Sequence, residues 1–108
     1  MKILDEKEIK TLKALLTERS KKYGRKKLRA AIYARKSAED IRDTSLPMQI
    51  ANCRDLIERY DFLEEYKVFQ EDGVSGMFTD IRPQYLEMME LAEKREIDVI
   101  VVMKLDRL

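Results

Sequence analysis

Tyr33-Ala34-Arg35-Lys36-Ser37 stands where the apolar run Ala30-Ala31-Ile32-Tyr33-Ala34 gives way to a polar stretch. A short apolar run bounded by charge reads as a buried strand. Successive side chains alternate faces along a strand, so Tyr33, Arg35 and Ser37 share one side if the extended geometry persists. A guanidinium and a hydroxyl are then placed together at the carboxyl end of a strand, where open α/β sheets bind ligands. A fixed cation beside a hydroxyl that could serve as a nucleophile suits an anionic substrate such as a phosphodiester. The same five residues taken alone also fit a strand end with solvated charges, and the residues downstream decide between the two.

Working outward, residues 38–44 are polar and loop-like, and Ser45 is placed to cap a helix that carries Pro47 in its first turn. Leu46, Ile50, Cys53, Ile57 and Tyr60 recur at three- and four-residue steps and carry that helix to about Tyr60. Cys53 lies on the apolar stripe and reads as a packed, unreactive thiol. Gln49 falls one residue off the stripe, near the helix N-terminus, within reach of a phosphate. Tyr66-Lys67-Val68-Phe69 reads as a second strand, running into Glu71-Asp72-Gly73-Val74-Ser75-Gly76, where glycines permit sharp turns. Pro83 opens a third helix whose wide apolar face comprises Tyr85, Leu86, Met88, Met89, Leu91 and Ala92, and which ends near Lys94-Arg95. Ile97 to Met103 is the most apolar run, rich in β-branched residues, as expected of a central strand covered on both faces. The order β-α-β-α-β argues a parallel sheet with helices on its faces. All the strand exits, at Ser37, Asp72–Ser75 and Lys104–Arg107, then lie on one rim.

Ahead of this unit, residues 5–18 read as a helix with Asp5, Glu6 and Glu8 in its first turn and a stripe of Ile9, Leu12, Leu15 and Leu16. Its packing partner is this domain, another subunit or a neighbour. The net charge of +1 hides an asymmetry, since residues 1–29 carry +7 and residues 30–108 carry −6. From Arg19 to Arg29 there are seven cations and no acid. Such an arm reads either as a contact to nucleic-acid backbone or as a solvated linker around Gly24. The domain boundary is drawn near Leu28, giving 1–28 as helix and basic linker and 29–108 as the main domain.

The totals narrow the chemistry. A chain of 108 residues, 44% hydrophobic and 40% charged with few glycines and prolines, fits one small ordered domain. One cysteine and no histidine exclude an internal disulfide and a Ser-His or Cys-His pair, and argue against a zinc site. No apolar run has the length of a membrane span and no signal-peptide core is present, so a cytoplasmic protein without membrane contact is expected.

The series YARKS, Gln49, EDGVSG, Arg82-Pro83 and DVIVVMKLDRL, in this order and spacing, resembles the catalytic domain of serine site-specific recombinases: resolvases, DNA invertases and the large serine integrases or transposon recombinases. The resemblance covers residues 29–108, and the SLPMQ-x₃-C segment looks most like the large members. It implies a three-layer, resolvase-like α/β domain, here incomplete at its C-terminus and preceded by an extra helix. It further implies that Ser37 attacks a DNA phosphate to form a covalent phosphoserine link, with strand cleavage and rejoining. Arg35, Arg82 and Arg107 match phosphate-binding arginines, Gln49 a support for the nucleophile's pocket, and Asp106 an acid of the same cluster. Asp72 and Ser75 match the adjoining loop. Arginines supply the positioning and charge stabilisation that phosphoryl transfer needs, so no cofactor or metal is called for. DNA is the expected partner, with dimers, and tetramers in the synaptic complex, for the full-length protein. The family continues past DRL to another arginine, a long interface helix and DNA-binding domains, so this chain is expected to be part of a recombinase. The competing expectation is a catalytically incompetent fragment that acts as a binding or regulatory module. A nucleotide-binding domain ranks last, because no GxGxxG or GxxxxGK[ST] run is present.

Overall fold

Strand β1, Leu28–Ser37, is the axis of the molecule, and Leu28, Ala30, Ala31, Ile32, Tyr33 and Ala34 are all fully buried. A strand buried on both faces needs cover on both, and the computed structural model supplies it in three layers. The structure describes residues 4–37, 45–73 and 82–103, with the backbone alone at Ser37, Asp72 and Gly73. The elements are α1 (Glu6–Tyr23), β1, α2 (Leu46–Arg59), β2 (Leu63–Gly73), α3 (Pro83–Glu93) and β3 (Val99–Val101). The sheet is parallel with order β2-β1-β3.

The path from β1 to β2 moves one way across the sheet and the path from β2 to β3 moves back past β1. Crossovers of one hand then require α2 and α3 on opposite faces. That is observed. Leu28, Ala30 and Ile32 face Cys53 and Ile57 of α2, whereas Ala31 and Tyr33 face Met88 of α3 along with Phe69. A bulge at Tyr66 shifts the β1–β2 register between Ala30/Glu65 and Ala31/Lys67, after which pairing runs unbroken to Ser37/Gly73.

The first helix belongs to the α2 layer. Ile9, Leu12, Leu15 and Leu16 pack against the cluster of Leu28, Ile32, Ile57 and Leu63. An Asp5–Glu8 capping box starts it: the Glu8 amide donates to Asp5 Oδ1 at 2.7 Å and the Asp5 amide to Glu8 Oε1 at 3.1 Å. The helix outruns the expected 5–18 and continues to Tyr23, because the lysines and arginines there are good helix formers and Gly24 provides the left-handed terminus at φ 70°. The Gly24 amide closes it on Ser20 O at 2.9 Å.

Two arginines of the basic segment turn inward. Asp98, whose side chain is fully buried, accepts from Arg19 Nε at 2.9 Å, Arg25 Nη1 at 3.2 Å and the Arg29 amide at 2.9 Å. The Asp98 amide returns a bond to Arg29 O at 2.9 Å. One carboxylate thus joins α1, the segment before β1 and the turn before β3. Arg95, left-handed at φ 64° after α3, presents its carbonyl to Arg25 in the same knot.

Among the described residues the last apolar run is an edge strand and not the central one: only Val99–Val101 pairs, with Ala30–Ile32, and β1 takes the centre. Val99 and Ile100 are half-buried, because among the described residues β3 has a neighbour on one side only. The face of α3 is also narrower than its composition suggested. Tyr85, Met88, Leu91 and Ala92 meet the sheet, while Leu86 is 63% and Met89 37% exposed. A helix lying on one sheet face buries a single stripe.

Removing one side of a buried ion pair leaves uncompensated charge, at about 3–5 kcal/mol. Asp98→Ala is therefore expected to lower unfolding stability by at least about 3 kcal/mol in urea titrations, whereas removal of the exposed Lys94–Glu90 pair changes it by less than about 1 kcal/mol.

Candidate active site

The carboxyl rim of the sheet is built on two devices that hold backbone in place. The first is Gln49, in the first turns of α2 and fully buried. Its Oε1 accepts from the Arg35 amide at 3.2 Å and its Nε2 donates to Arg35 O at 3.1 Å. The ladder from β1 to β3 ends at Ile32. The carboxamide satisfies the Arg35 backbone just past that point, pairing N–H and C=O as a neighbouring strand does. Gln49 is therefore bonded to the chain, and it fixes the backbone two residues before Ser37.

The second device is Glu71, which sequence reasoning did not single out. Helix α3 begins at Pro83 with Arg82 in the cap position, and the Arg82 side chain makes no cap hydrogen bond. Glu71 Oε1, from β2, accepts instead from the Tyr85 amide at 2.9 Å. A carboxylate at a helix N-terminus satisfies an orphan donor and matches the dipole. The signal available in the sequence was a proline-opened helix with no capping residue before it, and an acid at the end of the preceding strand.

Between these supports lie Tyr33, Arg35 and Arg82. The Tyr33 ring meets Tyr85 edge-on at 5.7 Å between centroids, and the Arg82 guanidinium stacks on Tyr85 at 4.4 Å. The Tyr33 hydroxyl is buried beside Arg82, and Arg35 Nε is buried with no hydrogen-bond partner among the described residues. Burial pushes the Tyr33 phenol up; the Arg82 and Arg35 guanidiniums pull it down and the Glu71 carboxylate adds to the rise. Arg35, two residues along β1, and Arg82, stacked on the Tyr85 ring, both act electrostatically on this tyrosine. The β1 backbone stays extended through Ser37, which pairs with Gly73, and Asp72 pairs with Lys36. The Ser37 and Asp72 side chains, and the whole of Ser75, Asp106 and Arg107, lie outside the described residues.

Cys53 is fully buried, donates to Val101 O at 3.7 Å, and has its thiol pushed up to about 11 by burial. That is a core thiol and not a nucleophile at neutral pH. Among the described residues no group of His, Cys, Asp and Glu side chains is arranged to hold a metal ion, and no helix is long and apolar enough to cross a membrane.

The switch in strand order, between β1 and β3, falls at this rim, which carries Arg35 and Arg82. The fold and site together define a three-layer parallel α/β domain with an arginine-bearing carboxyl edge. Residues 30–108 match the family described as Resolvase, N terminal domain. The chain belongs to that family, the catalytic domains of serine recombinases. We find no match to it among curated proteins or solved structures.

Replacing Gln49 by Leu keeps the bulk but orphans the buried Arg35 amide and carbonyl. The expected cost is roughly 1–3 kcal/mol in chemical denaturation, with faster hydrogen exchange at the Arg35 amide than elsewhere in β1. A pH effect arises from Cys53 and Tyr33. Both stay protonated in the folded state after the unfolded chain, with ordinary values of 9.0 and 10.0, has begun to release its protons. The stability this maintains is complete below about pH 9 and is lost as pH rises through about 11 for Cys53. Urea midpoints should fall over that window, and fall less steeply in Cys53→Ala.

Proposed function

We propose that this domain cleaves and rejoins DNA strands through a covalent phosphoserine intermediate, with Ser37 as the nucleophile. The single observation that carries this is the convergence of Arg35 and Arg82 on one buried tyrosine at the rim where the β1 backbone delivers Ser37. Family membership supplies the reaction class, DNA recombination.

In the proposed step, the Ser37 Oγ attacks a backbone phosphorus. A P–O(serine) bond forms as the P–O(deoxyribose) bond breaks, and the departing deoxyribose oxygen takes up a proton while the serine loses one. The reverse attack by a deoxyribose hydroxyl releases the serine and reseals DNA, so the phosphodiester energy is conserved. Arg35 and Arg82 neutralise charge on the non-bridging oxygens, with Arg107 assigned the same work from the β3 exit. Asp106, Asp72 and Ser75 are assigned supporting places around the nucleophile. Guanidiniums suit this because they remain charged at any working pH and present paired donors. Arg82 is steadied by its stack on Tyr85, and Tyr85 by the Glu71 cap. Synapsis of two duplexes requires an assembly, and we assign dimers and tetramers to the full-length protein.

The test is adduct trapping. The full chain is incubated with a pool of randomised, nicked duplexes from which a cleaved strand diffuses away, and protein–DNA adducts are resolved on denaturing gels. Wild type should yield an adduct that peptide mass spectrometry maps to Ser37, and Ser37→Ala none. Arg35→Gln and Arg82→Gln should each slow adduct formation by about 10²–10³-fold, the effect of losing one preorganised donor. An adduct that persists in Ser37→Ala ends the assignment.

A further inference from the structure

The seven cations between Arg19 and Arg29 do not act alike. Arg19 and Arg25 are drawn onto the buried Asp98, and the Arg29 guanidinium stacks on Tyr66 at 4.9 Å. The other four, Lys21, Lys22, Lys26 and Lys27, are exposed and form no ion pair among the described residues. Glu18, the acid nearest in sequence, is taken by Arg19 at 3.4 Å. Lys21 and Lys26 border a groove of about 730 Å³ that also includes Ser20 and the Gly24 turn. The groove is open, and Leu16, Thr17 and Arg25 complete its lining. Tyr23, 45% exposed, is the apolar neighbour and is itself covered by Lys22 and Arg25 at 5.7 and 5.0 Å.

This surface sits at the end of the sheet opposite Ser37. β1 runs ten residues from Leu28 to Ser37, and at roughly 3.3 Å per step the two rims stand about 30 Å apart. The knot on Asp98 fixes the lysines to the core, so they are presented from a braced turn rather than a loose tail.

We propose that Lys21, Lys22, Lys26 and Lys27 form a second contact surface for the phosphate backbone of duplex DNA, independent of sequence and remote from the strand-cleavage rim. The proposal rests on DNA being the substrate, as the site reading has it. Unpaired lysines gain by displacing condensed counterions from a polyanion. A membrane surface fits less well, since the exposed aromatic of the patch, Tyr23, lies under Lys22 and Arg25 and is not presented for insertion. The arrangement would let one domain hold a duplex while its opposite rim engages a phosphate.

The experiment is a salt titration of the full chain with a 30-base-pair duplex of arbitrary sequence, read by fluorescence anisotropy between about 50 and 200 mM salt. Replacing the four lysines with glutamine should reduce the slope of log K against log salt by about 3 to 4, near 0.9 per lost phosphate contact. The affinity lost across that salt range then shrinks by about a hundredfold. Circular dichroism and urea midpoints should be unchanged, because the four ammonium groups form no ion pair within the described fold. The same loss of slope should appear in a Ser37→Ala background. An unchanged slope overturns the proposal, as does binding of the chain to phosphatidylserine vesicles with none to the duplex. Adduct formation at Ser37 reports the site reading separately, so either can fail without the other.

Discussion

Burial of β1 on both faces is the constraint on which the rest of the structure depends. Its core positions alternate small and large, with Ala30, Ala31 and Ala34 letting helices approach and Ile32 and Tyr33 filling the space between. A strand so enclosed has no freedom of register, since a one-residue slip would send Tyr33 to the face held by α1 and α2. Its carboxyl end is equally fixed. β3 stops pairing at Ile32, but Gln49 takes over the edge at Arg35, so the strand stays ordered to its last residue without a third neighbour. Order at that end is what a hydroxyl nucleophile needs, because catalysis by positioning fails with displacements of an ångström.

A second consequence concerns α1. Its apolar stripe is narrow and would not hold an 18-residue helix alone. What makes it part of the domain is the combination of that stripe, packed on the α2 layer, with the bonds to Asp98 from Arg19, Arg25 and the Arg29 amide. A carboxylate buried there would be costly without donors on both oxygens, and Oδ1 takes two guanidiniums while Oδ2 takes the amide. The bonds are mutual, since two arginines buried without Asp98 would be equally costly. Such pairs specify geometry more than they stabilise, and the geometry specified here is the angle at which the chain enters β1.

The elements were legible in the sequence because periodicity and caps agreed. Ser45 before Leu46-Pro47, Pro83 at the head of α3 and the branched residues before Met103 marked the helices and strands within a few residues. The backbone partners of Gln49 and Glu71 were hidden for a common reason. Each works by a side-chain bond to backbone contributed by another element, and such pairings depend on packing that no local pattern encodes. A glutamine beside an apolar stripe is ordinarily solvated; here β3 stops pairing at Ile32 and the glutamine takes the edge beyond it. The inward turn of Arg19 was hidden likewise, because its partner lies 79 residues away.

The division of the basic segment into buried arginines and exposed lysines has its own chemistry. A guanidinium is weakly hydrated, planar and able to serve several acceptors at once, so it tolerates burial against Asp98 and the Arg95 carbonyl. An ammonium is strongly hydrated and loses more on burial, so lysines remain outside. The same preference holds at the opposite rim, where Arg82 and Arg35 stand beside the buried phenol of Tyr33. Both rims therefore apply one rule: arginine where charge must be desolvated and fixed, lysine where it meets water and mobile counterions. A surface of the second kind favours contacts that form and break along a polyanion, and a site of the first kind favours one phosphate held in one geometry.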